Sequence, residues 1–220
     1  MIRPAAGRAS SGVGPALLVL AKAPEPGRVK TRLTPPCTPD EAAGLAAAAL
    51  ADTLAAAARA RGAARRILVL DGEPDGWLPD GFEVVPQRGD GLAARLAAAF
   101  EDTGGPAFLV GMDTPQVTPA LLDAGLEALD RADAAFGAAL DGGYWGIGLR
   151  RPLRAAFRDV PMSADNTGAV QRARLAALGL RTVALPPLRD VDTIADARAV
   201  AAEAPRSRFA AALAGLEAAA

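Results

Sequence analysis

Four cations crowd one short stretch: Lys22, Arg28, Lys30 and Arg32 lie within AKAPEPGRVKTRL, where Glu25 is the one acid. Cations at this density suit a polyanion, and the phosphates of a nucleotide are the first candidate, although a loop of solvated surface cations is the plainer alternative. Three acidic groups complete the residues that could do chemistry. Asp113 follows the apolar run Ala107 to Val110 in GMDTP, and Asp190 and Asp192 alternate in DVDT, so that both face one point if the chain there is extended. Asp113 with Asp192 would offer a hard divalent cation, Mg2+ or Mn2+, its preferred oxygen ligands beside the phosphates. The ordinary readings are a turn former for Asp113 and a helix start for Asp192-Thr193. The third group is Asp141-Gly142-Gly143-Tyr144-Trp145. Its glycines leave room for a substrate, its aromatic pair can stack on a sugar or fence an acceptor, and its carboxylate can take a hydroxyl proton. A hairpin turn with core aromatics is the competing reading.

These groups need elements to bring them together. Ala16 to Leu20 is too short for a helix and rich in branched residues, which predicts a strand buried on both faces. Pro24, Pro26 and Gly27 then force a loop. Thr38-Pro39-Asp40-Glu41 is a capping box that starts an Ala/Leu-rich helix reaching Gly62. Strands follow at Arg66 to Leu70 and Phe82 to Val85, with a Pro-rich turn around Trp77 between them. Gln87 to Leu92 opens a helix to about Phe100, its glycines letting a ligand approach backbone amides at the helix start. Ala107 to Val110 is the fourth strand, and Thr118-Pro119 caps a helix to about Leu129. Ala134 to Leu140 and Tyr144 to Leu149 are two more strands, the second a candidate for antiparallel pairing. Met162 to Gly168, including Ser163, is a polar helix start for which capping is the simpler reading and lining of an acceptor site the functional one. A helix to Leu178, a strand at Arg181 to Leu185, a helix capped by Thr193 with Asp196, and a terminal helix from about Arg206 to Ala218 complete the chain. The alternation predicts an α/β fold with a mostly parallel central sheet flanked by helices on both faces. Ligands of such sheets bind at the carboxyl ends of the strands, where the cationic loop and Asp113 fall.

Composition narrows the classes. A chain of 220 residues with 51% hydrophobic content fits one α/β domain over residues 16–220, with 1–15 as a flexible polar leader. A net charge of −1 gives no global field for nucleic acid or membrane. The lone Cys37 and the absence of His exclude a disulfide framework, His-dependent triads and His metal sites. No apolar run is expected to span a bilayer, and without an apolar signal segment a cytoplasmic protein is expected. The Ala-rich helix from Thr38 and the terminal helix leave a homodimer open.

AKAPEPGRVKTRL, GMDTP, DGGYWGIGL and DVDT, in this order and spacing over about Leu17 to Ala199, resemble a family of small bacterial glycosyltransferase-like proteins. Some members carry the names arsenosugar-biosynthesis glycosyltransferase or radical-SAM- and selenium-associated transferase. The family is similar to the GT-A nucleotide-diphospho-sugar transferase superfamily, which also holds molybdenum-cofactor and phospholactate or phosphoenolpyruvate guanylyltransferases. The resemblance implies a Rossmann-like GT-A fold. It implies a nucleotide site on Ala21, Lys22, Pro26, Gly27, Lys30 and Arg32, with Gln87, Gly91, Leu92 and Arg95 near base and ribose, and Met112 beside the metal ligand Asp113. Asp192 would be the second ligand. Lys30 and Arg32 would also assist the departing phosphate, Asp141 would activate the acceptor, and Gly142, Gly143, Tyr144, Trp145 and Ser163 would hold it. The implied activity is metal-dependent transfer of a sugar from a nucleoside diphosphate to a small-molecule acceptor. The alternative is nucleotidyl transfer from a nucleoside triphosphate to a phosphorylated or carboxylated acceptor, releasing pyrophosphate. Two departures stand out. Prolines replace the glycines of the LAAGxGxR loop of nucleotidyltransferases, which removes backbone amides from a triphosphate cradle. Gly146 replaces a larger aliphatic residue, which would widen the acceptor pocket.

Overall fold

The structure is a computed structural model and describes residues 14–74 and 78–219. Residues 1–13 of the expected leader, and the turn around Trp77, lie outside the described residues. Seven strands form one sheet: β1 (Ala16–Lys22), β2 (Arg65–Asp71), β3 (Glu83–Pro86), β4 (Ala107–Gly111), β5 (Ala134–Ala139), β6 (Tyr144–Leu149) and β7 (Thr182–Leu188). Their order is β3-β2-β1-β4-β6-β5-β7. β6 pairs antiparallel with β4 and β5, and every other pairing is parallel. The carboxyl ends of six strands and the start of β6 therefore share one edge, with Lys22 opposite Asp71 and Leu20 opposite Gly111. The predicted α/β architecture is the observed one.

Alternation along β1 divides the core. Leu17, Val19 and Ala21 face α1 (Pro39–Arg59) and α3 (Pro119–Arg131), whereas Leu18 and Leu20 face the side of α2 (Gly91–Thr103) and α4 (Thr167–Ala177). The remaining helices are α5 (Ile194–Glu203) and α6 (Arg208–Ala219), and a third apolar cluster joins them to α1 through Leu45, Val200 and Phe209. The helix starts follow the sequence signals: Thr38 with Glu41 and Thr193 with Asp196 make reciprocal capping boxes, and the Thr118 hydroxyl accepts from Leu121 N–H.

Three expectations fail for physical reasons. The last strand extends through Pro186 and Pro187 to Leu188. It is an edge strand, where the missing N–H groups need no partner, and Pro186 O instead accepts the Trp145 indole N–H at 3.0 Å. Asn166 makes no side-chain cap bond at the start of α4. The Thr167 hydroxyl organises that turn, accepting from Ala164 N–H at 3.0 Å and lying 2.7 Å from Pro161 O. Finally, the 21-residue α1, which contains an 18-residue window with a mean hydropathy of 1.3, is long and apolar enough to cross a membrane, contrary to the expectation of no such run. In this fold 56% of its apolar window is buried, against β1, α3 and α6, and core packing accounts for its composition.

Candidate active site

A cleft of about 870 Å3 opens along the shared sheet edge. One wall is the loop after β1. Its Lys22 N–H donates to Met112 Sδ at 3.3 Å, which ties the loop to the end of β4. Lys30, in the left-handed conformation at φ 49°, turns inward with its side chain only 6% exposed. Its ammonium sits 2.5 Å from Asp113 Oδ1 and donates to Val191 O in the β7–α5 loop. Arg32 pairs with Asp192 across the same gap at 2.8 Å. Val191 N–H donates to Asp113 O at 3.0 Å, which fixes the two acidic segments side by side.

Ala21, Lys22, Lys30, Arg32, Gln87, Gly91, Leu92, Arg95, Met112, Asp113, Asp141, Gly143, Tyr144, Trp145, Ser163 and Asp192 all line this cleft. Pro26, Gly27 and Gly142 do not. Pro26 and Gly27 form the outer turn of the loop, where Gly27 has φ 75° and open space around its Cα. Gly142 serves the backbone rather than a substrate: at φ 92°, a Cβ there would lie 1.7 Å from Asp165 O, and its own carbonyl accepts Gly168 N–H at 2.7 Å. Gly168 is equally confined, 2.4 Å from Gly143 O to a virtual Cβ. Close glycine contact thus clamps the β5–β6 turn to the segment carrying Met162 and Ser163.

Trp145 is a core residue. It is 2% exposed, its indole N–H is spent on Pro186, and its ring meets Phe108 edge-on at 5.8 Å. It cannot stack on a sugar. Tyr144 is half-buried beside Phe136 and Met162, and burial pushes its phenol up. Gly146 does not widen the acceptor pocket: a Cβ there would lie 2.6 Å from the Phe108 ring, so the missing side chain admits a core aromatic. Asp141 Oδ1 accepts Gly143 N–H at 2.9 Å, which orients the carboxylate at the cleft.

Asp190 is the residue whose setting the sequence underweighted. Burial and the carboxylates of Asp113, Asp141 and Asp192 push it up to about 7, with Lys30 acting the other way. Its Oδ1 is buried without a hydrogen-bond partner among the described residues, as is the hydroxyl of Thr114. The one available signal was the D-x-D alternation, which does not say which acid turns inward. A buried carboxylate oxygen lacking a donor, among other carboxylates, fits a divalent cation. Among the described residues no group of three His, Cys, Asp or Glu is close enough to hold one; Asp113 is paired with Lys30 and Asp192 with Arg32. At the far wall, Arg95 donates to Asp71 and Gln87 and holds Asp71 below the usual carboxylate range, helped by Arg28 and Lys22.

Sheet order, cleft position and helix layers define the fold shared by nucleotide-diphospho-sugar transferases and nucleotidyltransferases. A nucleotide-diphospho-sugar transferase, provisionally so named, from Desulfovibrio desulfuricans is similar over 93% of this chain and 95% of its own, at 29% identity and a TM-score of 0.83. CMP-2-keto-3-deoxy-manno-octonic acid synthetase, solved with CTP, is similar over 88% and 99% at 14% identity and a TM-score of 0.57. Rv0371c from Mycobacterium tuberculosis, solved with manganese, is similar over 86% and 97% at 23% identity and a TM-score of 0.51. No curated protein matches the sequence. The chain belongs to the bacterial family described as "Uncharacterized protein conserved in bacteria (DUF2064)", whose model matches residues 42–164.

Proposed function

We propose that this protein is a metal-dependent glycosyltransferase that moves a sugar from a nucleoside diphosphate to a small-molecule acceptor. The observation that carries the reading is the division of one cleft into cations on the β1 loop, carboxylates at the ends of β4 and β7, and a further carboxylate, Asp141, on the β5–β6 turn. The solved Desulfovibrio relative, named for nucleotide-diphospho-sugars, supports it. Lys22, Arg28 and Arg32 hold the diphosphate: Lys30 is buried against Asp113 and Val191, whereas Arg28 and Arg32, paired with Glu25 and Asp192, are exposed and free to turn to a phosphate. Asp113 and Asp192, with Asp190, would hold Mg2+ or Mn2+. That ion supplies charge neutralisation for the departing diphosphate. Asp141 accepts the acceptor's hydroxyl proton as the new glycosidic bond forms at the sugar's anomeric carbon and its bond to the diphosphate breaks.

Nucleotidyl transfer is the second reading, favoured by the synthetase solved with CTP, which shares the fold. The two separate by product: incubation with a panel of nucleotide sugars and, in parallel, nucleoside triphosphates, with Mn2+ and candidate acceptors, releases a nucleoside diphosphate in the first case and pyrophosphate in the second. Release of neither from any donor, with or without acceptor, would count against both.

A further inference from the structure

Buried polar atoms without hydrogen-bond partners are rare in folded proteins, and here they gather at one part of the cleft. Among the described residues six such side-chain atoms occur, and four belong to Thr114, Gln116, Arg189 and Asp190. Thr114 and Gln116 follow Asp113 on the loop after β4, and Arg189 and Asp190 precede Asp192 on the loop after β7. Thr114 and Asp190 line the cleft, whereas Gln116 and Arg189 stand outside the lining. Two hydrogen bonds tie the loops together: Val191 N–H donates to Asp113 O at 3.0 Å, and the Gln116 amide nitrogen donates to Arg189 O at 2.7 Å. Only the nitrogen of an amide can donate to a carbonyl, so this second bond commits Gln116 Oε1 to a buried setting that offers it no donor. The side chain of Arg189 is held as well. Its Nη1 pairs with Asp196 at 3.1 Å, and Asp196 closes the capping box on Thr193 that starts α5. The segment 189–193 is thus anchored at one end by Gln116 and at the other by the α5 cap, with Asp190 and Asp192 between the anchors. Unpaired buried polar atoms are costly, and a seam that keeps them answers to a demand other than stability.

Resting on the metal reading above, we infer that Gln116 and Arg189 are positioning residues for the metal-binding carboxylates: the Gln116 amide, by holding Arg189 O, sets where the loop after β7 lies on the loop after β4 and so keeps Asp190 and Asp192 beside Asp113. Gln116 acts only through the loop it holds. Arg32 reaches the same segment through Asp192, but it is exposed and turns to phosphate in the proposed reaction, whereas the Gln116 bond is neutral and stays. Groups that hold metal-binding carboxylates in place govern the affinity of a site, because a carboxylate free to swing must first be ordered.

The test is titration of the full chain with Mn2+ alone, followed by the paramagnetic resonance of the free ion, together with amide hydrogen exchange of the metal-free protein, on the wild type, Gln116→Met and Asp123→Ala. Gln116→Met keeps the length of the side chain and removes the donor. Asp123→Ala is the control, because Asp123 accepts Arg61 and Gly62 N–H at 2.8 Å just ahead of β2, at the sheet edge opposite the cleft. Gln116→Met is expected to weaken Mn2+ binding by about 10–100-fold. It should also speed exchange of the Val191 amide by at least about tenfold while the β1 amides change little. Asp123→Ala should keep Mn2+ affinity within about twofold of the wild type. An unchanged Mn2+ affinity or an unchanged Val191 exchange in Gln116→Met overturns the inference, as does an equal loss of Mn2+ affinity in Asp123→Ala. Should Gln116→Met not fold, Gln116→Asn, a methylene too short to reach Arg189 O, carries the same expectations. Failure of the wild type to bind Mn2+ would instead overturn the metal reading, and Val191 exchange then decides whether Gln116 holds the loop.

Discussion

The ammonium of Lys30 lies 2.5 Å from Asp113 Oδ1 and also donates to Val191 O, so one buried cation joins the loop after β1 to the ends of β4 and β7. Three segments distant in sequence are held at one point by one side chain. Lys30→Met removes the charge but keeps much of the stem. Its expected cost is about 1–2 kcal/mol of stability, because Asp113 is half-exposed and water partly replaces the lost partner. Denaturant unfolding measures this, and a change within experimental scatter would mean that the clamp is not structural.

Asp190 links the site to pH. Burial, then the neighbouring carboxylates, push its carboxyl from the ordinary 3.8 up to about 7 in the native protein, so the native state holds the extra proton between those values. The stability it contributes is full below about pH 4 and is lost as pH rises through 7. From pH 5.5 to 8 the metal-free protein should lose roughly 2 kcal/mol, about 5 °C in melting temperature. Asp190→Asn should flatten that decline. Melting curves of both proteins at the two pH values check it, and parallel declines would show that another group is responsible.

Gly142 fixes the turn that carries Asp141. With φ 92° and Asp165 O in the way of any Cβ, Gly142→Ala should destabilise by about 3 kcal/mol or more and displace the segment bearing Met162 and Ser163. The matched control is Gly27→Ala, where φ is also positive but nothing obstructs a side chain. It should cost about 1 kcal/mol. Equal losses at the two positions would remove the clamp argument.

For Asp141→Asn, turnover at saturating acceptor should fall by about 10²–10⁴ with nucleotide affinity unchanged within about twofold. The split between kcat and nucleotide Kd is the informative quantity. Unchanged turnover would take Asp141 out of the proton-accepting role.

Sequence legibility followed locality. β6 is found at the predicted bounds, and the strand and helix alternation is correct, because buried β-branched runs and capping boxes such as Thr38 with Glu41 are local signals. The cleft's membership was also largely legible, since six parallel strands put their loops on one edge. What failed was long-range. DGGYW reads equally as a sugar platform or a turn, and only the sheet shows Trp145 spent on Pro186 and Gly142 spent on Asp165. DVDT does not reveal that Arg32 takes Asp192 while Asp190 faces Asp113 and Asp141, because Arg32 and Asp192 stand 160 positions apart.

Metal-dependent donor binding is tested most directly by the Mn2+ dependence of nucleotide-sugar binding in the wild type and in Asp113→Asn, measured by calorimetry with UDP-, GDP- and dTDP-sugars. The wild type should bind one donor with Mn2+ at least about tenfold more tightly than without it, and Asp113→Asn, still folded by its melting curve, should lose that gain. Binding that is indifferent to Mn2+ in the wild type, or equally Mn2+-dependent in Asp113→Asn, would contradict it.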